Sequence, residues 1–124
     1  MIFPYQEDRP SVTFQLKSGN SWKYFTALID SGADFSIFPS YAAIALGINI
    51  KKLKKIKAES ADEDFFDIYK ITLEAKMDNN FFQLPIGFSE KPNVSPLIGR
   101  QGFFDTFEVT FNQKKQITIL KIFT

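Results

Sequence analysis

The sequence predicts a mainly β domain, a closed barrel or sandwich with one or two short helices. Three observations carry that prediction. Short segments alternate apolar and polar residues, clusters of Gly, Asn, Asp and Pro separate them, and only two brief stretches carry a helical pattern.

In chain order, "SVTFQLK" puts Val12, Phe14 and Leu16 on one face. Ser18-Gly19-Asn20 breaks the run before "SWKYFTALID" resumes it, so the two segments read as a hairpin. "FSIF" is a brief apolar strand stopped by Pro39. Ser40 then reads as the N-cap of a short helix, "YAAIALG", with Gly47 at its C-terminal end. "ITLEAKM" and "FFQLPIGF" flank Asp78-Asn79-Asn80, a second hairpin signal. Past Pro92 and Pro96, "LIG" precedes a short helix expected from Arg100 to Asp105. "FEVTF" and "QITILKIF" close the chain around Asn112 to Lys115. With no repeat, linker or low-complexity tract, residues 1–124 read as one domain.

Composition limits the chemistry. Apolar residues make up 44% of the chain and fifteen are Phe, enough for a real core and too many for a disordered segment. No run of about 18 uncharged apolar residues occurs, so no membrane span is expected. "MIFPYQEDRP" lacks the basic and apolar regions of a secretory leader. A formal net charge of +1 gives no reason to expect nucleic acid or an acidic membrane as partner. The chain has no Cys and no His. Disulfides, thiol nucleophiles, Cys-ligated zinc, Ser-His-Asp triads and His-based metal sites are therefore excluded. Catalysis has to run on carboxylates, Lys, Tyr, hydroxyls or a carboxylate-bound metal, and the cytoplasm is the default location.

Two stretches could carry chemistry. In "LIDSGAD", Asp30 ends a segment that reads as a buried strand and is followed by small residues that admit another backbone. One reading is an Asx-turn, in which Asp30 and Ser31 bond nearby backbone N–H groups and Gly32 supplies conformational freedom. The other makes Asp30 a reactive carboxylate, partly removed from water. The second stretch is "PLIGRQGFFDTFEVTF", Pro96 to Phe111. Leu97, Ile98 and the Phe cluster read as core, whereas a lone Arg100 after a buried strand calls for a carboxylate partner or a solvated head.

Together these stretches resemble the retropepsin family of single-domain aspartic proteases, and its bacterial branch in particular. "Leu-Ile-Asp-Ser-Gly-Ala-Asp" matches that family's catalytic loop, and "Leu-Ile-Gly-Arg" matches the apolar-apolar-Gly-Arg element near its C-terminal helix. "RPSVTFQLKSG", "IFPSYAAIALGI" and "QGFFDTFEVTFNQKKQITIL" extend the likeness from about Pro10 to Leu120. The resemblance implies a homodimer in which each chain gives one catalytic aspartate, Asp30, to a site on the two-fold axis. It implies an endopeptidase acting on peptide or unfolded protein, without cofactor or metal. It further implies that Ser31 hydrogen-bonds across the dimer and that Gly32 and Ala33 present backbone at the site. Gly99 and Arg100 would support the loop, with Arg100 paired to Asp34. Removing one partner of such a pair costs about 3–5 kcal/mol where it is buried.

The sequence departs from the family at the flap, a β-hairpin usually tipped by glycines. By position it should lie near Ile56 to Asp67, "IKAESADEDFFD", yet no Gly occurs between Gly47 and Gly87. Such a tip has less conformational freedom and keeps bare backbone from the substrate. An acidic tip could favour basic substrates, though a solvated hairpin end accounts for it as well. The Gly-free flap therefore keeps a second function in view, a catalytically weak or inactive dimer of the same fold that binds peptides or proteins. "KKLKKIK", Lys51 to Lys57, reads as the basic arm of a hairpin facing an acidic one, or as a Lys-rich edge strand, ahead of a nucleic-acid patch. At the termini, Pro4 in "MIFPY" and Lys121 in "ITILKIF" point either to strands that pair differently from the interleaved ends of viral members or to a weak, concentration-dependent dimer.

Overall fold

The structure, a computed structural model, describes residues 1–59 and 64–123. In chain order its elements are β1 (Ile2–Pro4), β2 (Ser11–Ser18), β3 (Ser21–Ile29), β4 (Ser36–Pro39), α1 (Ser40–Ala45) and a 3-10 turn (Ile50–Lys52). There follow β5 (Lys54–Glu59), β6 (Phe65–Met77), β7 (Asn80–Ser89), β8 (Leu97–Ile98), α2 (Phe103–Thr106), β9 (Phe107–Asn112) and β10 (Ile117–Ile122). The mainly β prediction and both hairpins hold, with Ser18 opposite Ser21 and Met77 opposite Asn80. Gly19 and Asp78 take the positive φ angles, 58° and 52°, that reverse the chain at these turns.

Seven strands form one sheet in the order β2-β3-β8-β4-β7-β6-β5. An additional pairing of β2 with β6, through Gln15↔Lys76 and Leu16↔Ala75, joins the series back to its start. Six strands thus run in a closed circuit, and β5 is left as an edge. Alternation dictates what the circuit encloses: Val12, Phe14 and Leu16 of β2 are buried, as are Ala27 and Ile29 of β3. Phe38 packs edge-on against Phe14 and Phe25, with ring centroids 6.1 and 5.7 Å away. A second aromatic group, Phe82, Phe103 and Phe107, fastens α2 and β9 to β7 with centroids 5.3–6.1 Å apart.

Both helices start later or earlier than the sequence predicts, for identifiable reasons. Pro39, ending β4 in extended conformation, occupies the N-cap of α1, so Ser40 is its first helical residue and no side chain caps it. The other end is as expected. Gly47, at φ 71°, donates to the Ile44 carbonyl, and Ile48 N–H donates to that of Ala43, the pattern of a Schellman cap. α2 begins at Phe103 rather than Arg100 because Gly102 stands at φ 83°, outside helical geometry. Arg100 and Gln101 keep their backbone N–H groups for another use, described below.

The lysine-rich segment divides. Lys51 and Lys52 belong to the 3-10 turn, where Lys51 bonds Tyr69 Oη at 3.2 Å and Glu90 at 3.0 Å. β5 carries the rest as the edge strand of the large sheet. Among the paired positions of β5 and β6, opposing charges face each other at Lys57 and Asp67, 2.6 Å apart, whereas Lys54 faces Lys70 and Lys55 faces Tyr69. The edge-strand reading therefore accounts for more of the lysines than the facing-arms reading. At the termini, β1 pairs antiparallel with β10 of its own chain, giving a separate sheet of order β1-β10-β9. The Met1 ammonium adds a 2.9 Å bond to the Leu120 carbonyl.

Candidate active site

The loop carrying Asp30 is shaped by a two-residue strand. β8 lies parallel to β3, with Leu28↔Leu97 and Ile29↔Ile98, and antiparallel to β4, with Ile37↔Leu97. Since β8 sits between them, the chain leaving β3 at Asp30 must cross the end of β8 to enter β4 at Ser36. At the crossing, residue 99 has no room for a side chain: a Cβ there would stand 2.5 Å from the Phe35 carbonyl oxygen. Gly99 is thus required by close backbone approach.

Five backbone and side-chain bonds then fix the loop. Asp30 N–H donates to the Ile98 carbonyl at 2.8 Å, and Arg100 N–H to the Ala33 carbonyl at 2.9 Å. Gln101 N–H donates to the Asp34 carbonyl at 2.8 Å. Gly99 N–H donates to Oγ of Ser36, a fully buried serine, at 3.1 Å. The Arg100 guanidinium forms an ion pair with the Asp34 carboxylate, sixty-six residues away along the chain. Both side chains of that pair are exposed, 55% and 70%, so in the single chain it belongs with surface pairs contributing about 0–1 kcal/mol. The larger cost expected for a buried pair does not apply there.

Asp30 forms the turn of the first reading. Its Oδ1 accepts from Gly32 N–H at 2.9 Å and its carbonyl from Ala33 N–H at 3.2 Å, which is an Asx-turn. That turn holds the half-buried carboxylate in place, and Oδ2 has no hydrogen-bond donor among the described residues. Ser31 and Gly32 are exposed, Ala33 is half-buried, and the Ser31 hydroxyl bonds no other described residue.

A cleft of about 610 Å³ opens beside the loop. Asp30, Gly32 and Ala33 line one side of it, and Glu59 and Phe66, from the arms of the β5–β6 hairpin, line another. A third wall, Lys91 to Ser95, comes from the segment between β7 and β8. β5 and β6 pair antiparallel within the segment where a flap is expected, Ile56 to Asp67, of which residues 60–63 lie outside the described residues. Sequence reasoning missed Ser36, Phe66 and the 91–95 wall. Ser36 had a signal, a lone hydroxyl inside the apolar run "FSIF", which demands a partner when buried. The wall's signal was a pair of prolines around Asn93, whose φ is 65°, marking a loop of fixed shape.

No protein-family model matches the chain, and comparison with curated proteins finds no match. Among solved structures, a retropepsin-like aspartic protease from Rickettsia conorii superposes with a TM-score of 0.71. The superposition covers 97% of this chain and 88% of that one, at 19% identity. The chain has the retropepsin-like fold. In this retropepsin-like fold the two sequence motifs become neighbours: "LIDSGAD" forms the loop and "LIGR" threads beneath it. Of the predicted site residues, Asp30, Ala33, Asp34, Gly99 and Arg100 are joined by direct bonds or contact through the crossing, and Gly32 bonds Asp30. Ser31 stands apart at the loop surface.

Proposed function

We propose that the protein is an aspartic endopeptidase that works as a homodimer, with Asp30 from each copy forming the catalytic pair. The observation that carries this reading is the placement of Asp30 at a cleft, on a loop held by the Gly99-Arg100 crossing. One chain offers a single carboxylate there, and a two-fold axis through the loop would supply the second. Two carboxylates in contact cannot both ionise cheaply, so the pair shares one proton. The ionised member takes a proton from a bound water as it attacks the peptide carbonyl, and the protonated member donates to the developing oxyanion. The β5–β6 hairpin, reaching the cleft through Glu59 and Phe66, serves as the flap over an extended peptide.

Purified protein should cleave an unstructured peptide at mildly acidic pH. Asp30→Asn should abolish cleavage and leave circular dichroism, thermal melting and sedimentation unchanged. Cleavage that persists in Asp30→Asn would overturn the mechanism.

A further inference from the structure

We infer that Lys91 reads an acidic side chain of the bound peptide close to the cut bond. This rests on the protease reading and adds a substrate class to it. Three observations converge on Lys91. It lines the cleft that holds Asp30. Its ammonium lies 5.2 Å from the centre of the Phe66 ring, on the opposite wall, which limits the sweep of a long flexible side chain. Its backbone is anchored as well, because Lys91 N–H donates to the buried Ser89 hydroxyl at 3.1 Å.

Among the described residues, no ion pair compensates the charge at this point. The cations at Lys17, Lys51, Lys57 and Arg100 each meet a carboxylate within 4 Å, whereas no carboxylate of a described residue lies at that distance from Lys91. Other surface lysines are also unpaired, and Lys76 lines a cleft of its own; Lys91 differs in sharing its cleft with Asp30, with the apolar side chains of Phe66, Ile37, Val94 and Leu97 around it. Apolar walls weaken the competition of water for an ion pair formed there. The other charged residues lining the cleft among those described, Asp30 and Glu59, are acidic and repel a second acid. An acidic substrate residue is therefore favoured beside Lys91 and disfavoured elsewhere in the same half-cleft, which makes the preference specific to position.

The test compares peptides that differ by Asp, Asn or Lys at each position around one scissile bond, at pH about 5 to 6, where a substrate Asp is ionised. At one position the Asp peptide should exceed its Asn counterpart in kcat/KM by about two- to fivefold, as for a partly exposed ion pair, with the ratio shrinking in salt. Lys91→Met should bring that ratio to one, and Lys91→Glu should invert it in favour of the Lys peptide. Equal ratios in wild type and Lys91→Met would overturn the assignment while leaving the protease reading intact. Binding of the same peptides to Asp30→Asn, followed by fluorescence anisotropy, separates the two failures. A wild type that cuts nothing, with Asp-selective binding lost in the Asp30→Asn/Lys91→Met double variant, sinks the protease and keeps Lys91's role; no cutting and no selective binding sinks both.

Discussion

At Gly99 a Cβ would meet the carbonyl oxygen, carbonyl carbon and amide nitrogen of Phe35 at 2.5, 2.6 and 2.8 Å, all of them backbone atoms with nowhere to yield. Gly99→Ala should therefore cost about 1–3 kcal/mol, as overpacking does, read as a lower urea midpoint. An unchanged midpoint would mean the crossing relaxes freely. Arg100→Ala, by contrast, should barely move that midpoint in the isolated chain, since the Asp34–Arg100 pair is exposed there. Under the proposed homodimer its effect falls on association and should appear as a weaker dimer in sedimentation velocity; equal association would detach Arg100 from the proposed interface. At this scale much was legible. The Asp30 motif and the Arg100 partner could be read because short motifs carry their own geometry. Ser36 could not be assigned a bond, because its partner, Gly99 N–H, arrives from a distant strand.

The elements owe their positions to contacts rather than to local preference. α2 spans four residues, too few for a helix to persist alone, and is held by Phe103, fully buried against Phe82 and Phe107. Phe103→Ala should cost about 3–5 kcal/mol by chemical denaturation, and a loss below that range would show α2 is secured by other means. The β5–β6 hairpin has an electrostatic signature. Asp67 is held below the usual carboxylate range, chiefly by its hydrogen bond with Lys57. A carboxylate depressed in the folded state adds stability above its ordinary value and loses it as pH falls through the depressed one. Lys57→Met should raise the Asp67 midpoint in a carboxyl NMR titration; an unmoved midpoint would deny the pair that role. Strands and hairpins were legible from alternation and turn residues. Helix boundaries were not, since Pro39 and Gly102 set them through backbone angles the sequence leaves open.

For the whole molecule, the terminal sheet is built from both ends of one chain. β1 is bonded to β10 of its own chain along one side and stands at the edge of that sheet. The chain lacks Cys, which allows a direct check: Ile2→Cys/Ile119→Cys, placed at paired positions, should cross-link within the chain and migrate as a monomer on a non-reducing gel. A dimer-sized band would reveal exchanged strands. Such long-range pairings, like the wedging of β8 between β3 and β4, leave no periodic trace in the sequence and were visible only through the likeness of paired motifs. The wedge also sets a timetable. During synthesis, Asp30 emerges long before Ile98, Gly99, Arg100 and Gln101, which supply the bonds that cross to its loop. A nascent chain that has not yet reached Leu97 holds Asp30 without the bonds that fix its loop. The loop is therefore fixed only near the end of translation, and under the proposed function a chain truncated before Leu97 should be inert however many of its strands have paired.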